Sequence, residues 1–66
     1  MTPKYPSIHA TLVGKDGNAY AILGAVSAAL KRAGIDKAER DAFYTEATAG
    51  DYDHLLQTAM RWVDVS

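Results

Sequence analysis

One short stretch of the chain has the residue types for acid–base or metal chemistry, the tetrapeptide DYDH at residues 51–54. Asp51 and His54 are three residues apart, so they can meet if the stretch opens a helix. A metal site needs about three protein ligands and a supporting shell, and His9 is the one obvious further ligand. Capping explains the same residues, because Asp51 suits an N-cap and Asp53 suits a first helical turn. We therefore expect helix capping here and no metal site.

A second polar group surrounds the segment GKDGNAY at residues 14–20. Asp-Gly is typical of a hairpin turn, but the apolar residues that follow recur at gaps of three and four, which indicates a helix. A helix that begins at Asn18 or Asp16, beside Lys15, would suit an anion or phosphate, and Tyr20 could stack on a base. The order of residues is not that of a P-loop. The alternative is a capped helix with a solvated face.

We predict a ligand-binding set that combines this segment with the next turns of the helix and with the DYDH stretch: Lys15, Asn18, Tyr20, Ser27, Tyr52 and His54. No nucleophile–base pair is visible, because Ser7, Ser27 and Ser66 lack the glycine elbow of a hydrolase. A chain of 66 residues also has little volume with which to enclose a substrate. We expect a protein that is not an enzyme and that uses no cofactor.

The helices and strands that position these residues are predicted from the spacing of apolar residues and from the positions of proline, glycine and capping residues. Two prolines make residues 1–7 an extended arm, and partial alternation makes residues 8–13 a short strand. Helices are predicted over residues 18–33, 36–49 and 51–63, with Gly34 and Gly50 as C-terminal stops and Asp36 with Glu39 as a capping-box variant. The fold class is mainly α with one N-terminal strand, in a single domain over residues 1–66. The predicted inner residues are Ala19, Ile22, Leu23, Val26, Ala29, Leu30 and Ala33, then Ala42, Phe43 and Ala47, then Tyr52, Leu55, Leu56, Ala59, Met60 and Val63, and Trp62 is also assigned to the core.

A lone strand needs a pairing partner, because its backbone N–H and C=O groups must be satisfied. Within the chain residues 63–65 are the other candidate; otherwise the partner is the same strand of a second copy. We favour a homo-oligomer, because a chain this small without cysteine must gain stability elsewhere. The second face of the first helix carries small residues that suit either a helix of the same chain or an oligomer seam. The predicted interface is Ile8, Ala10, Leu12, Gly24 and Ala28.

Composition restricts the partners. The net charge is −1, from seven basic and eight acidic residues, whereas nucleic-acid modules usually show a basic surplus. No apolar run approaches the roughly 20 residues of a membrane span, and the N-terminus has no signal-peptide core. We expect a soluble, cytoplasmic protein for which nucleic acid and membrane are poor partners.

Two blocks carry a resemblance, GKDGNAYAILGAVSAALKRAGI and EATAGDYDHLLQTAMRWVDV. They resemble a family of small bacterial, mobile-element and bacteriophage proteins that pair L-V-G-x-D-G-N-A-[FY]-x-I-L-G with E-A-x-x-G-D-Y-D-H-L-L and for which no activity is established. The resemblance covers about residues 12–65. It implies a context of accessory genes of phage-like origin, whose small products often act by binding.

Three functions are therefore expected in order. The first is sequestration of a small anionic, nucleotide-like host defence signal by a homo-oligomer, in the host cytoplasm if a phage encodes the chain. The second is an interaction module that inhibits a host protein. The third is a nucleic-acid-binding regulator, which electrostatics oppose because the third predicted helix carries Asp51 and Asp53 and is followed by Asp64.

Overall fold

A computed structural model describes residues 2–11 and 19–65. The elements are β1 (Tyr5–Ala10), α1 (Ala19–Arg32), α2 (Lys37–Ala47), α3 (Tyr52–Trp62) and β2 (Val63–Val65). The predicted class, mainly α with an N-terminal strand, is confirmed, and a short C-terminal strand is added to it. The predictions for Leu12, Lys15 and Asn18 lie outside the described residues.

The ends of the helices follow local rules that the sequence displays. Asp36 caps α2 by accepting a hydrogen bond from the Glu39 backbone N–H at 2.9 Å, and Asp51 caps α3 in the same way from His54 at 2.9 Å. Gly34 ends α1 with a φ of 84°, and the Ile35 N–H donates to the Leu30 carbonyl at 3.0 Å. This is the glycine-terminated motif that was predicted.

Two details of capping differ from the prediction. The Glu39 carboxylate does not return to Asp36; it bonds the Tyr5 hydroxyl and the Lys4 ammonium. Gly50 does not end α2, which stops at Ala47 with Thr48 as its C-cap. Among the described residues only Gly34 has a positive φ. Gly50 is instead placed where a Cβ atom would lie 2.9 Å from the Cβ and Cγ atoms of His54.

The strand β1 pairs in parallel with β2, with Tyr5 opposite Val63 and Ala10 opposite Val65. The register is irregular between Tyr5 and His9, the interval that contains Pro6, and proline is tolerated at such irregularities because it has no N–H for the ladder. The arm predicted over residues 1–7 is therefore wrong in part, since residues 5–7 belong to the strand. The partner of β1 on this edge is therefore residues 63–65 of the same chain, the first of the two predicted alternatives. The same strand of a second copy, which we favoured, is not needed there.

The core lies between the sheet and the three helices. Each helix contributes one buried stripe, and Phe43, Val26 and Leu30 are completely buried. Four residues predicted to face inward are exposed instead: Ala33, Ala42, Tyr52 and Met60. The core gains Thr58, which was not predicted, and contains Trp62, which was. In α3, the burial of Thr58 and the exposure of Tyr52 and Met60 have one cause: the buried stripe is rotated from the predicted one. It consists of residues 55, 58, 59 and 62.

Candidate functional site: a cleft lined by tyrosines

A cleft of about 460 Å³ lies where the first turns of α1 and α3 approach the C-terminal end of α2. Its floor is apolar, since Leu23, Ala47 and Leu55 line it and are buried. Three tyrosines form its rim: Tyr20, Tyr44 and Tyr52. The volume falls within the roughly 300–1,000 Å³ of small-molecule sites.

The rim tyrosines are unusually accessible for aromatic residues. Tyr20 is 79% exposed, Tyr44 47% and Tyr52 39%. Tyrosine combines a large apolar face with a hydroxyl that can donate or accept a hydrogen bond. A group of such rings around an apolar floor can hold a flat, partly polar molecule.

Besides the three tyrosines, the polar side chains among the described lining residues are Thr48 and Asp51, and both make hydrogen bonds within the fold. The Thr48 hydroxyl donates to the Tyr44 carbonyl at 2.8 Å, and the Asp51 carboxylate accepts the capping bond from His54. Asp51 is the one charged side chain among the described lining residues. Asp53 adds a second acidic residue to the first turn of α3.

The structure brings together part of the predicted ligand-binding set. Tyr20 and Tyr52 share the cleft. Ser27 is half-buried on α1 and is not a lining residue. The sequence prediction did not include Tyr44 in the ligand-binding set. Tyr44 directly follows the buried Phe43, so it lies on another face of α2, and an aromatic residue outside the buried face is the signal that could have identified it.

His54 has a structural position outside the cleft. Its imidazole Nε2 lies 2.8 Å from the Glu46 carbonyl oxygen, to which it donates, and so joins α3 to the end of α2. Its ring packs where Gly50 has no side chain. Asp51 therefore caps α3, and His54 holds the α2–α3 junction.

The predicted interface residues divide into two groups. Ile8 and Ala10 are 8% and 2% exposed, because they pack in the core of their own chain; this corrects their assignment to an oligomer seam. Gly24 and Ala28 are exposed on α1. A Cβ atom at Gly24 would meet no atom of the described residues within 4 Å, so close packing against another described helix does not explain this glycine.

A separate ionic cluster ties the N-terminal segment to the helices. Lys4 Nζ lies 2.8 Å from Glu39 Oε2 and 4.4 Å from the centre of the Trp62 ring. The bonds that Glu39 accepts from Lys4 and then from Tyr5 lower the pKa of its carboxyl. The bond to Glu39 raises the pKa of Lys4, and the same partner raises the pKa of the Tyr5 hydroxyl.

The indole Nε1 of Trp62 donates to Glu46 Oε2 at 2.7 Å, so the ring is fixed from a second side. Its edge contact with Phe43 has a centroid distance of 5.4 Å. These contacts make the cluster a structural tether between the N-terminal segment and the core.

Residues 2–11 and 19–65 contain no group of three or more His, Cys, Asp or Glu side chains arranged to hold a metal ion. Over the same residues, no helix has the length and apolar character needed to cross a membrane. Comparison with protein-family models, with curated proteins and with solved structures found no match to this chain.

Proposed function

We propose that this protein is a non-catalytic binding protein that holds a small nucleotide-like ligand in the tyrosine cleft. The observation that carries the proposal is the gathering of Tyr20, Tyr44 and Tyr52 around an apolar floor at the ends of three helices. Base–aromatic stacking contributes about 1–3 kcal/mol per base and tolerates different bases. A chain with exposed rings around an apolar cleft suits capture of a ligand better than its conversion.

The wider role that we propose is sequestration of a host defence signal by a homo-oligomer in the cytoplasm of a host cell. The resemblance to small bacteriophage and mobile-element proteins supports this context. The short chain supports association, since a 66-residue domain buries only roughly 60% of its unfolded surface. Light scattering at low micromolar concentration tests the oligomer, and a folded particle of 7.1 kDa would contradict it.

Titration calorimetry with cyclic nucleotides and ADP-ribose-type molecules tests the ligand. The variants Tyr20→Ser and Tyr44→Ser should weaken binding, because both rings are at least 47% exposed and their loss leaves the core intact. Met60→Ser is the matched control, since Met60 is 53% exposed but does not line the cleft. An absence of heat across the panel, or equal binding by all four proteins, would contradict the proposal.

A second candidate function is an interaction module that docks a host protein on α1. The exposed Gly24 favours it, because a mid-helix glycine costs about 1 kcal/mol relative to alanine and no described residue lies within 4 Å of its Cβ position to account for it. A pull-down from host lysate should return one dominant partner, and Gly24→Asp should abolish its recovery while the protein stays folded. Retention of the partner by Gly24→Asp would remove this candidate.

A further inference from the structure

We infer that the tyrosine cleft binds the aromatic ring of its ligand and leaves any phosphate outside, so that a nucleoside without phosphate is itself a ligand. The inference rests on the proposed function and specifies which half of a nucleotide-like molecule the cleft recognises. It differs from the sequence prediction, in which the start of the helix near Asn18 was expected to bind an anion or phosphate.

The charges of the described lining residues argue against a phosphate in the cleft. Asp51 is the only charged side chain among them, and it is negative. Its carboxylate cannot turn away at no cost, because Oδ1 holds the His54 backbone N–H at 2.9 Å as the cap of α3. The partial positive charge at the start of α3 is opposed by the cap residue Asp51 and by Asp53 in the first turn. A phosphate placed there would face carboxylates with no described cation lining the same cleft.

The shape and the remaining chemistry of the cleft favour a ring. Leu23, Ala47 and Leu55 offer an apolar floor, and three exposed tyrosines line the rim. A base presents two apolar faces and a polar edge, and phenol hydroxyls can both donate to and accept from such an edge. Loss of one base–aromatic stack typically corresponds to about a 5- to 150-fold increase in Kd.

Calorimetry with adenosine, guanosine and uridine, each beside its 5′-monophosphate, tests the inference at low and high salt. We expect at least one pair in which nucleoside and nucleotide have Kd values within about threefold of each other. We also expect little change with salt, because stacking, unlike ion pairing, is not screened. Tyr44→Ser should raise both Kd values together, by about 5-fold or more.

The variant Asp53→Asn removes a carboxylate from the first turn of α3 at a position that does not line the cleft. It should leave both Kd values within about threefold of the parent protein. Nucleotide binding without nucleoside binding, a strong salt dependence, or a several-fold gain in nucleotide affinity in Asp53→Asn would overturn the inference and leave the proposed function standing. If none of these probes nor the cyclic-nucleotide and ADP-ribose-type panel binds, the proposed function fails and the inference fails with it.

Discussion

Replacement of Gly50 by alanine should destabilise this protein, whereas the same replacement at Gly24 should stabilise it. A Cβ atom at position 50 would lie 2.9 Å from both the Cβ and Cγ atoms of His54 and 3.1 Å from Cδ2. Carbon atoms pack favourably at about 3.5–4.0 Å. The clash is with the root of the side chain and not with a flexible end, so either His54 or the backbone must move.

The cost follows from what holds His54 in place. Its ring bonds the Glu46 carbonyl at 2.8 Å, and its backbone N–H bonds the Asp51 cap at 2.9 Å. Overpacking of this kind typically costs about 1–3 kcal/mol. At Gly24 the added methyl group meets nothing within 4 Å in the described part of the chain, so Gly24→Ala should gain up to about 1 kcal/mol from helix propensity.

Urea and thermal unfolding followed by circular dichroism measure both variants. A change of 1 kcal/mol corresponds to a shift in Tm of about 4–8 °C for a domain of this size, so the two Tm values should lie on opposite sides of the parent value. A neutral or stabilising Gly50→Ala would refute the argument from the His54 contact. Destabilisation by Gly24→Ala at every protein concentration would refute the open surface assigned to α1, whereas destabilisation that grows with concentration would indicate an oligomer seam there.

Three other changes have distinct expected outcomes. The partners of Glu39 lower the pKa of its carboxyl, so this group stabilises the fold at pH values above its ordinary pKa of 4.5. That contribution is lost as the pH falls through the lower pKa of the folded state. Glu39→Gln should therefore reduce the loss of Tm between pH 5 and pH 3. Asp51→Ala should lower stability by about 0.5–2 kcal/mol while Asp51→Asn leaves it nearly unchanged, and chemical denaturation that gave equal losses would refute the capping role. Phe43→Ala should cost about 3–5 kcal/mol, enough to unfold much of a domain this small at 37 °C, whereas Tyr44→Ala, at the exposed neighbouring position, should keep its circular dichroism spectrum.

The local part of the fold was predictable because its causes are local. Gly34, Asp36 and Asp51 each act within four residues of themselves, so their types and spacing indicate the helix ends directly. The pairing of Tyr5 with Val63 joins residues 58 positions apart, and no short-range pattern distinguishes it from pairing with a second copy. Pro6 further concealed the first half of the strand, since proline usually argues against strand structure.

The predicted inner stripe of α3 differs from the observed one because Thr58 was not among the predicted inner residues. Its hydroxyl donates to the His54 carbonyl at 2.8 Å. Because the helix itself supplies this hydrogen-bond partner, the Thr58 side chain can be buried without leaving an unsatisfied polar group. With Thr58 inside, the stripe rotates, and Tyr52 and Met60 turn outward. One polar residue therefore accounts both for the error in the core and for the exposure of Tyr52, a rim residue of the cleft.

The geometry of the cleft depends on the same short junction that the Gly50 substitution disturbs. Tyr44 lies before this junction and Tyr52 after it, and Gly50 and Asp51 line the cleft between them. The imidazole of His54 bonds the end of α2 while its backbone N–H bonds the cap of α3, so one residue fixes the separation of two rim tyrosines. Preorganisation of this kind reduces the ordering cost of binding. If the cleft binds a ligand as we propose, stability and ligand affinity should change together at Gly50 and independently at Gly24.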